Sequence, residues 1–304
     1  INLGMNDRKR ISDGSSIRTM QFPGFKNTLD KKSDSESGGP NLFVKSGFEY
    51  FIDPTQSLGV SATISNGNRN NENKTYTLDN GPDDKKYWRY TSGDGDRNGY
   101  DINLNYDKKF KNPKQKLTSY ARFSDGLNDG INEYYNNDDG GLKYVNDDRA
   151  KNGQDGTSKS YNFKLDYSHP FDNGSKLEVG VNSKSTDRGD TQISELFDET
   201  TKEYVADRAF SNEFEYNETV HAAYIQYGGS LGFIGYNAGG RYETVDMMSE
   251  LKTTNESFKN PYSSFYPSLS LSFGAPQLLQ IQTSYSKRVN RPRSRMLNPF
   301  SSRQ

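Results

Sequence analysis

Apolar and polar residues alternate one by one over two runs in the stretch 263–300. In the first run Leu269 and Leu271 share one parity, and serines fill much of the other. In the second run, over 279–286, apolar and aromatic residues alternate with glutamine and serine. A period of two is typical of a strand with one apolar and one polar face. The two runs therefore predict an antiparallel hairpin whose arms have the ~9 to 11 residues needed to cross a bilayer.

The same alternation recurs along the chain and predicts several further hairpins. Short segments rich in turn-forming residues separate the two arms of each hairpin: 53–56, 111–114, 172–175, 229–232 and 274–277. Longer polar segments join one hairpin to the next: 66–98, 124–157 and 187–216. Short turns that alternate with long loops are typical of outer-membrane barrels. The sequence thus predicts an all-β, antiparallel transmembrane β-barrel, partial at about ten strands, with short periplasmic turns and long extracellular loops.

The two parities of these strands predict two different surroundings. The apolar parity is predicted to face lipid, and it includes Leu58, Val60, Ile64, Leu104, Leu269, Leu271 and Ile281. The other parity carries charges of both signs, which a dry core would accept only at a desolvation cost of several kcal/mol each. A wide lumen, or a lumen that holds a polar plug, is therefore expected.

The start of the chain lacks the alternation. Residues 8–10 are basic, and 31–39 are rich in Ser, Asp and Gly. We interpret residues 1–40 as a strand end followed by a polar loop. Residues 41–304 are interpreted as one incomplete barrel segment without a plug domain.

Composition narrows the class of protein further. Only 30% of the residues are hydrophobic, as in disordered chains, but 21 Tyr and 17 Phe in alternating runs argue for a folded barrel. The net charge is −1, from 39 basic and 40 acidic residues, so no overall field favours nucleic acid. The chain has no cysteine, which removes disulfides and thiolate chemistry. It also contains neither a long apolar run that would predict a transmembrane helix nor a signal-peptide pattern.

One motif raises the question of catalysis. Residues 228–232 match the G-x-S-x-G pattern of a nucleophile elbow, which requires a strand-to-helix turn and a histidine base. The sequence that follows predicts another strand, and the only histidines are His169 and His221. We therefore predict a hairpin turn there and no enzymatic activity.

A second motif resembles the opening of a calcium loop. Asp94, Asp96 and Asn98, followed by glycine, have the spacing D-x-D-x-N-G, but Asn105 stands where a bidentate carboxylate is required. A solvated Gly-Asp loop is the favoured interpretation, and Ca²⁺ in an outer loop is the alternative. No other cofactor is predicted.

Polar and aromatic residues in the predicted outer loops are candidates for ligand binding. The candidates are Trp88, Tyr134, Tyr135, Asp138 and Asp139. Acidic, Asn-rich loops are more often simply solvated. At the end of the last strand, four arginines could contact lipopolysaccharide phosphates or be solvated: Arg288, Arg291, Arg293 and Arg295.

The sequence after the second arm of the last hairpin carries a family signature. Its residues are Tyr285, Arg288, Asn290, Arg291, Pro292, Leu297, Asn298, Pro299 and Phe300. This pattern resembles the barrel region of TonB-dependent receptors, particularly the Bacteroidetes-type outer membrane protein beta-barrel family, whose signature reads Tyr-Ser-Arg-Arg, Asn-Arg-Pro and Leu-Asn-Pro-Phe. Lys287 replaces the first arginine of that signature.

The resemblance implies a function and a set of partners. Such receptors lie in the bacterial outer membrane, close about 22 strands around a plug, and take up a nutrient such as a siderophore, glycan or peptide. The implied partners are membrane lipid, lipopolysaccharide, the nutrient, and a TonB-type energy-coupling protein that acts through a plug absent from this chain. Gln304 is not the aromatic residue that usually ends such barrels, so the chain is expected to be an internal fragment.

Two other classes of function are compatible with the sequence. One is a plugless barrel that acts as a diffusion pore or as a surface adhesion scaffold. The other is a soluble β-rich carbohydrate-binding protein, which the strand lengths disfavour.

Overall fold

A computed structural model describes residues 1–80, 85–137, 149–274, 279–292 and 294–298. They form one antiparallel sheet of 13 strands and one short helix. The elements are β1 (Asn2–Phe22), β2 (Phe25–Asp53), β3 (Gln56–Asp79), β4 (Lys85–Lys109), β5 (Lys116–Asn137), β6 (Arg149–Pro170), β7 (Lys176–Asp198), β8 (Glu203–Ala206), β9 (Asn212–Leu231), β10 (Ile234–Leu251), β11 (Glu256–Lys259), β12 (Tyr262–Phe273), β13 (Ile281–Ser286) and α1 (Ser294–Leu297). Among these residues, no helix has the length and hydrophobicity that crossing a bilayer requires.

Eleven strands follow one another in the sheet, in the order β1-β2-β3-β4-β5-β6-β7-β9-β10-β12-β13. The short strands β8 and β11 extend β7 and β10 as additional partners. Within the described ranges β1 pairs only with β2, and β13 only with β12, so the sheet has two open edges. This topology confirms the predicted all-β antiparallel fold, with a strand number close to the predicted ten.

The short turns lie where the sequence predicts them. Between β2 and β3, the Thr55 backbone N–H and hydroxyl both donate to Oδ1 of Asp53, at 2.7 and 2.6 Å. Between β6 and β7, Gly174 has a φ of 81°, and the Ser175 N–H donates to Asn173 Oδ1 at 3.0 Å. The β9–β10 turn is tighter than predicted and centres on Gly232, with a φ of 61°. Part of the predicted turn at 274–277 lies outside the described residues.

The predicted long loops are wrong over most of their length, because the strands continue through them. The register of β3 with β4 runs from Gln56 opposite Lys108 to Asp79 opposite Lys85 without interruption. Likewise β5 pairs with β6 as far as Tyr135 opposite Arg149. Both faces of these extensions are polar, so the sequence lacks the apolar period of two that marks a strand with one face in lipid.

The interpretation of residues 1–40 as a strand end and a polar loop is wrong for the same reason. Asn2–Phe22 pairs with β2 along its whole length, and the two strands meet at a turn where Phe22 stacks on Phe25. β2 is 29 residues long and continues through the boundary suggested at 40/41. Polar residues on both faces hide this hairpin from a pattern of hydrophobicity.

Directly paired residues place their side chains on the same face of the sheet, which distinguishes two faces. On what we call the outer face, Val60 pairs with Leu104, Leu104 with Ala121, and Ala121 with Phe163. Val60, Leu104 and Phe163 are 41%, 44% and 44% exposed, so the apolar face is open to the surroundings. All seven residues that the sequence assigns to the apolar parity lie on this face.

The opposite, inner face is mainly polar, but it carries one buried apolar cluster. The cluster joins β9 to β10 and consists of Phe214, Tyr216, Val220, Val245, Met247 and Leu251. Tyr262 of β12 and Leu297 of α1 pack against it. The main apolar core of the described chain therefore lies where the end of the chain folds back onto the inner face.

Candidate functional site

The inner face is lined by ion pairs within strands and between neighbouring strands. The pairs and their shortest N–O distances are Asp101–Arg122 at 2.5 Å, Lys164–Asp166 at 2.7 Å, Lys176–Glu178 at 2.8 Å and Arg241–Glu243 at 2.5 Å. Most of these side chains remain partly exposed. Such a surface is compatible with water or a polar partner in the lumen and incompatible with a dry core.

Glu243 of β10 is the most buried acid of this surface, at 6% exposure. Its Oε1 accepts a hydrogen bond from Arg241 Nε at 2.5 Å, and its Oε2 accepts one from Arg291 Nη2. Arg291 also donates from Nε to the Tyr262 hydroxyl at 2.8 Å. A buried carboxylate is costly without such partners. Part of its compensation comes from a segment that lies outside the sheet.

That segment follows β13, and we call residues 287–292 and 294–298 the inward segment. Ser294 at the start of α1 is 4% exposed, and its hydroxyl accepts a hydrogen bond from Arg188 of β7 at 3.3 Å. Leu297 packs against the apolar cluster. The chain thus leaves the sheet after Ser286 and returns over the inner face of β7, β9 and β10.

The family signature falls in two structural settings. Arg291 and Leu297 anchor the inward segment, whereas Arg288, Asn290 and Pro292 are exposed. Tyr285 lies in β13, and the Asn298 N–H donates to the carbonyl of Ser294 at 3.2 Å. Pro299 and Phe300, together with Arg293 and the side chain of Arg295, lie outside the described residues.

Near the other end of the sheet, the extended parts of β2 to β5 border a polar cavity of about 800 Å³. Its inner-face lining includes Ser37, Arg69, Asn71, Arg97, Asn128 and Asn132. Gly93 lies between two of these amides, and a Cβ there would be 2.2 Å from Asn132 Oδ1 and 2.5 Å from Asn71 Oδ1. Glycine therefore lets both amides fold over the β4 backbone. The sequence signal for this site is Asp-Gly-Asp-Arg at 94–97, where the sequence favours a solvated Gly-Asp loop and offers calcium binding as the alternative.

An aromatic and charged cluster covers the outer face at the same end of the sheet. Trp88 packs on Tyr76 with ring centroids 4.8 Å apart, and Lys151 Nζ lies 4.2 Å from the ring centroid of Tyr204. Long amphipathic side chains of this kind shield one another from water. The cluster lies at the rim of the sheet that the ends of β3, β5 and β7 form with the starts of β4, β6 and β8.

Glu133 forms the charged centre of this cluster. Its two oxygens accept from Tyr135 Oη at 2.7 Å and pair with Lys151 Nζ at 2.9 Å. The Tyr135 hydrogen bond, then the lysine, hold the pKa of Glu133 below its usual value. The same hydrogen bond raises the pKa of Tyr135 to about 12.

The predicted ligand-binding residues do not form one surface. Trp88 and Tyr135 lie on the outer face, whereas the adjacent Tyr134 points to the inner face. Neighbouring residues of a strand face opposite sides, which a loop prediction could not anticipate. Asp138 and Asp139 lie outside the described residues.

The calcium candidates lie in extended strand, not in a loop. Asn68 Nδ2 donates to Oδ1 of Asp94 at 3.0 Å and to Oδ1 of Asp96 at 3.1 Å. Asn98 Oδ1 accepts a hydrogen bond from Asn66. In the part of the chain that the structure describes, no group of three or more His, Cys, Asp or Glu side chains is placed to hold a metal ion.

The G-x-S-x-G match lies in the β9–β10 hairpin. Ser230 pairs with Gly235, and a strand follows the turn instead of a helix. His221 Nδ1 is 2.9 Å from Ser183 Oγ, and His169 Nδ1 is 3.1 Å from Tyr167 Oη. The two histidines are thus engaged away from the motif serine.

Two bands of aromatic side chains cross the outer face. One joins Tyr100 to Phe123 at 5.6 Å and Phe123 to Tyr161 at 4.8 Å between ring centroids. The other follows the short turns through Phe110, Tyr167, His169, Phe171, Tyr227 and Tyr236. Trp88 and Tyr90 lie outside both bands, about ten residues before Tyr100 in β4.

A comparison with protein families agrees with this architecture. A family model described as "Outer membrane protein beta-barrel family" matches residues 108–304. No curated protein sequence matches the chain significantly. Among solved structures, the siderophore receptor PiuA from Acinetobacter baumannii is 9% identical, with 93% of this chain and 49% of the receptor covered and a TM-score of 0.48.

Two other solved structures, a transporter and a protease, are also similar to this chain. The ferric citrate transporter FecA in its unliganded form is 10% identical, with 93% of this chain and 44% of that chain covered and a TM-score of 0.46. The outer membrane protease OmpT from Escherichia coli is 11% identical, with 94% of this chain and 97% of the protease covered and a TM-score of 0.24. The chain spans less than half the length of PiuA and FecA. Because the family model matches more than half of the chain, this protein belongs to the outer membrane protein beta-barrel family and resides in the outer membrane.

Proposed function

We propose that this chain forms part of the barrel of a TonB-dependent receptor, which imports a nutrient ligand without chemically altering it. The observation that carries the proposal is the polar inner face with its ion pairs, from Asp101–Arg122 to Arg241–Glu243. The eleven consecutive strands, whose two edges are open, already exceed the ~8 strands of a barrel that its own side chains fill, whereas a large transporter barrel encloses water or a plug behind such a polar wall. The family signature around Arg291 supports the same class.

The apolar outer face supplies the lipid contact in this proposal. The zone between the two aromatic bands holds Ile102, Leu104, Phe163 and Val181. On each strand it is about nine residues long, which matches an apolar band about 25 Å tall crossed at a tilt. The bands correspond to the aromatic girdles that lie at both membrane interfaces.

The strand extensions beyond the upper band form an extracellular wall in this proposal. β4 continues for about 15 residues past Tyr100, which is roughly 50 Å of strand. The polar cavity near Arg97 lies within this wall, where a nutrient would arrive. The open edges of β1 and β13 would pair with further strands of a larger barrel, because exposed edges are rare in transmembrane sheets. A plug inside that barrel would receive energy from a TonB-type protein.

Energy dependence of uptake tests the proposal. The full-length protein is expressed in a host that lacks its own receptor for the chosen nutrient, with and without a TonB-type energy-coupling protein. We expect uptake at low nutrient concentration to saturate and to require the coupling protein. Uptake that rises linearly with concentration and persists without coupling would instead identify a diffusion pore.

A further inference from the structure

The alternation of side chains separates charge by sign in the extracellular wall. In residues 6–18, 31–43, 65–77 and 87–99 of β1 to β4, every charged side chain on the inner face is a cation. These cations are Arg8, Arg10, Arg18, Lys31, Arg69, Arg89 and Arg97. The alternate positions on the outer face carry acids such as Glu36, Glu72, Asp94 and Asp96, with fewer lysines. A net charge of −1 for the whole chain conceals this segregation.

The cations nearest the cavity are not neutralised by this sheet. In the described part of the chain, Arg69 and Arg97 make no ion pair, whereas Arg122, further towards the membrane, is paired with Asp101 at 2.5 Å. Arg89 donates to the amide of Asn136 at 2.9 Å and not to an acid. An array of unneutralised guanidinium groups on a concave wall attracts anions and binds carboxylate or phosphate oxygens by paired N–H donors.

The cavity beside Arg69 and Arg97 has the size and donors to receive a ligand. Its volume of about 800 Å³ falls in the range of ligand pockets, ~300 to 1,000 Å³. The described residues of its lining include no apolar or aromatic side chain, and amides such as Asn71, Asn128 and Asn132 dominate its inner-face part. Five acids that also border it occupy positions on the other parity: Glu36, Glu72, Asp94, Asp96 and Asp129. Asn68 donates hydrogen bonds to two of them, Asp94 and Asp96.

From this charge segregation we propose that the inner wall of β1 to β4 binds and selects anionic, oxygen-rich solutes, with Arg69 and Arg97 as the central contacts. The inference deepens the proposed uptake function and rests on it, since it assigns a chemical class to the nutrient. A hydrophobic ligand would find no contact here, and a neutral sugar would find no aromatic platform in the cavity. Carboxylate and phosphate ligands share the required chemistry.

Calorimetric titration of the full-length protein in detergent tests the assignment, with citrate and tripolyphosphate as anionic probes and sucrose as the neutral probe. We expect at least one anion to bind, with an affinity that falls as NaCl is raised, and sucrose not to bind. Comparison of citrate with tripolyphosphate distinguishes a carboxylate from a phosphate ligand. The double variant R69Q/R97Q should lower the anion affinity at least tenfold.

The matched control is K32Q/K74Q, which removes the same charge from the outer face of β2 and β3. We expect it to change the anion affinity less than twofold. Equal affinities of R69Q/R97Q and the control would overturn the proposal, as would preferential binding of sucrose. If the protein took up a neutral nutrient with energy coupling, the assignment of an anionic ligand would be refuted and the transporter function would stand. If it bound anions but its uptake needed no coupling protein, only the TonB-dependent transporter function would be refuted.

Discussion

Arg291 of the inward segment donates a hydrogen bond to Glu243 of β10, 48 positions earlier in the chain. This contact fastens the segment after β13 to the inner face, together with the bond from Arg291 to Tyr262. It assigns a structural role to the arginine of the Asn-Arg-Pro signature. An arginine for which the sequence suggested lipopolysaccharide phosphates or solvent as partners thus compensates a buried acid.

We expect Arg291→Ala to destabilise the protein by roughly 1–3 kcal/mol, because Glu243 then loses one of its two charged partners while it stays buried. Arg241 remains within 2.5 Å, so the loss should be smaller than for a fully orphaned charge. Urea unfolding of the protein refolded in lipid vesicles measures the change. Arg288→Ala, at an exposed position of the same segment, is the control and should unfold like the wild type.

The outer face predicts a sharp dependence of assembly on side-chain polarity. Leu269→Arg should block accumulation in the outer membrane, because an arginine facing lipid near the mid-plane costs ~2 to 4 kcal/mol. Ser270→Arg places the same residue one position later, on the inner face, and should be accepted. The membrane fraction is run on gels with and without heating, and a band that changes its migration on heating indicates folded barrel. Similar behaviour of the two variants would contradict the assignment of the faces.

The position of Trp88 predicts where the membrane ends. This residue is the only tryptophan of the chain, and it lies about 12 residues beyond Tyr100, or roughly 40 Å of strand. In vesicles of brominated lipid, its fluorescence should therefore remain unquenched. The variant Trp88→Phe/Tyr161→Trp moves the fluorophore into the upper aromatic band and should be quenched strongly. Quenching of Trp88 itself would mean that the extended strands lie in the membrane and not above it.

The cluster around Glu133 predicts a pH dependence at this rim of the sheet. The carboxyl has a lowered pKa in the folded protein, so its stabilisation is present above the ordinary glutamate value and is lost as pH falls through the lowered pKa. Tyr135, with a pKa raised to about 12, stabilises the fold below the ordinary tyrosine value and loses that contribution as pH rises through 12.

Absorbance titration of tyrosinate measures the second effect. The difference between the wild type and Tyr135→Phe isolates one tyrosine, and it should titrate near 12. In a Glu133→Gln background the same difference should move towards the ordinary tyrosine value of about 10. If Tyr135 still titrated near 12 in that background, Glu133 would not be the cause of its raised pKa.

The period-two pattern was sufficient for the membrane part of the fold. Alternation between apolar and small polar residues predicted the hairpin arms around Leu104 and Leu269, their faces and most short turns. These features are local, because a strand with one face in lipid must alternate and a tight turn needs Gly, Asn, Asp or Pro. They could be derived from the sequence without knowledge of any neighbouring strand.

The strand extensions beyond the aromatic bands could not be derived in this way. Strand extensions such as 66–79 and 124–137 have polar residues on both faces, so only pairing with neighbouring strands reveals them. The same pairing places Tyr134 and Tyr135 on opposite faces and collects Arg69 and Arg97 on one. Side-chain direction in these regions is fixed by register, which is a property of two strands and not of one.

By itself, therefore, the sequence determined the all-β class, the apolar face and the turns, because each depends on residues close together in the chain. Only the tertiary structure decided that Arg291 returns to Glu243 and that the cations of the strand extensions lie on the inner face. Those relationships join positions tens of residues apart. They depend on strand register and on the path of the chain after β13, which no local pattern of hydrophobicity specifies.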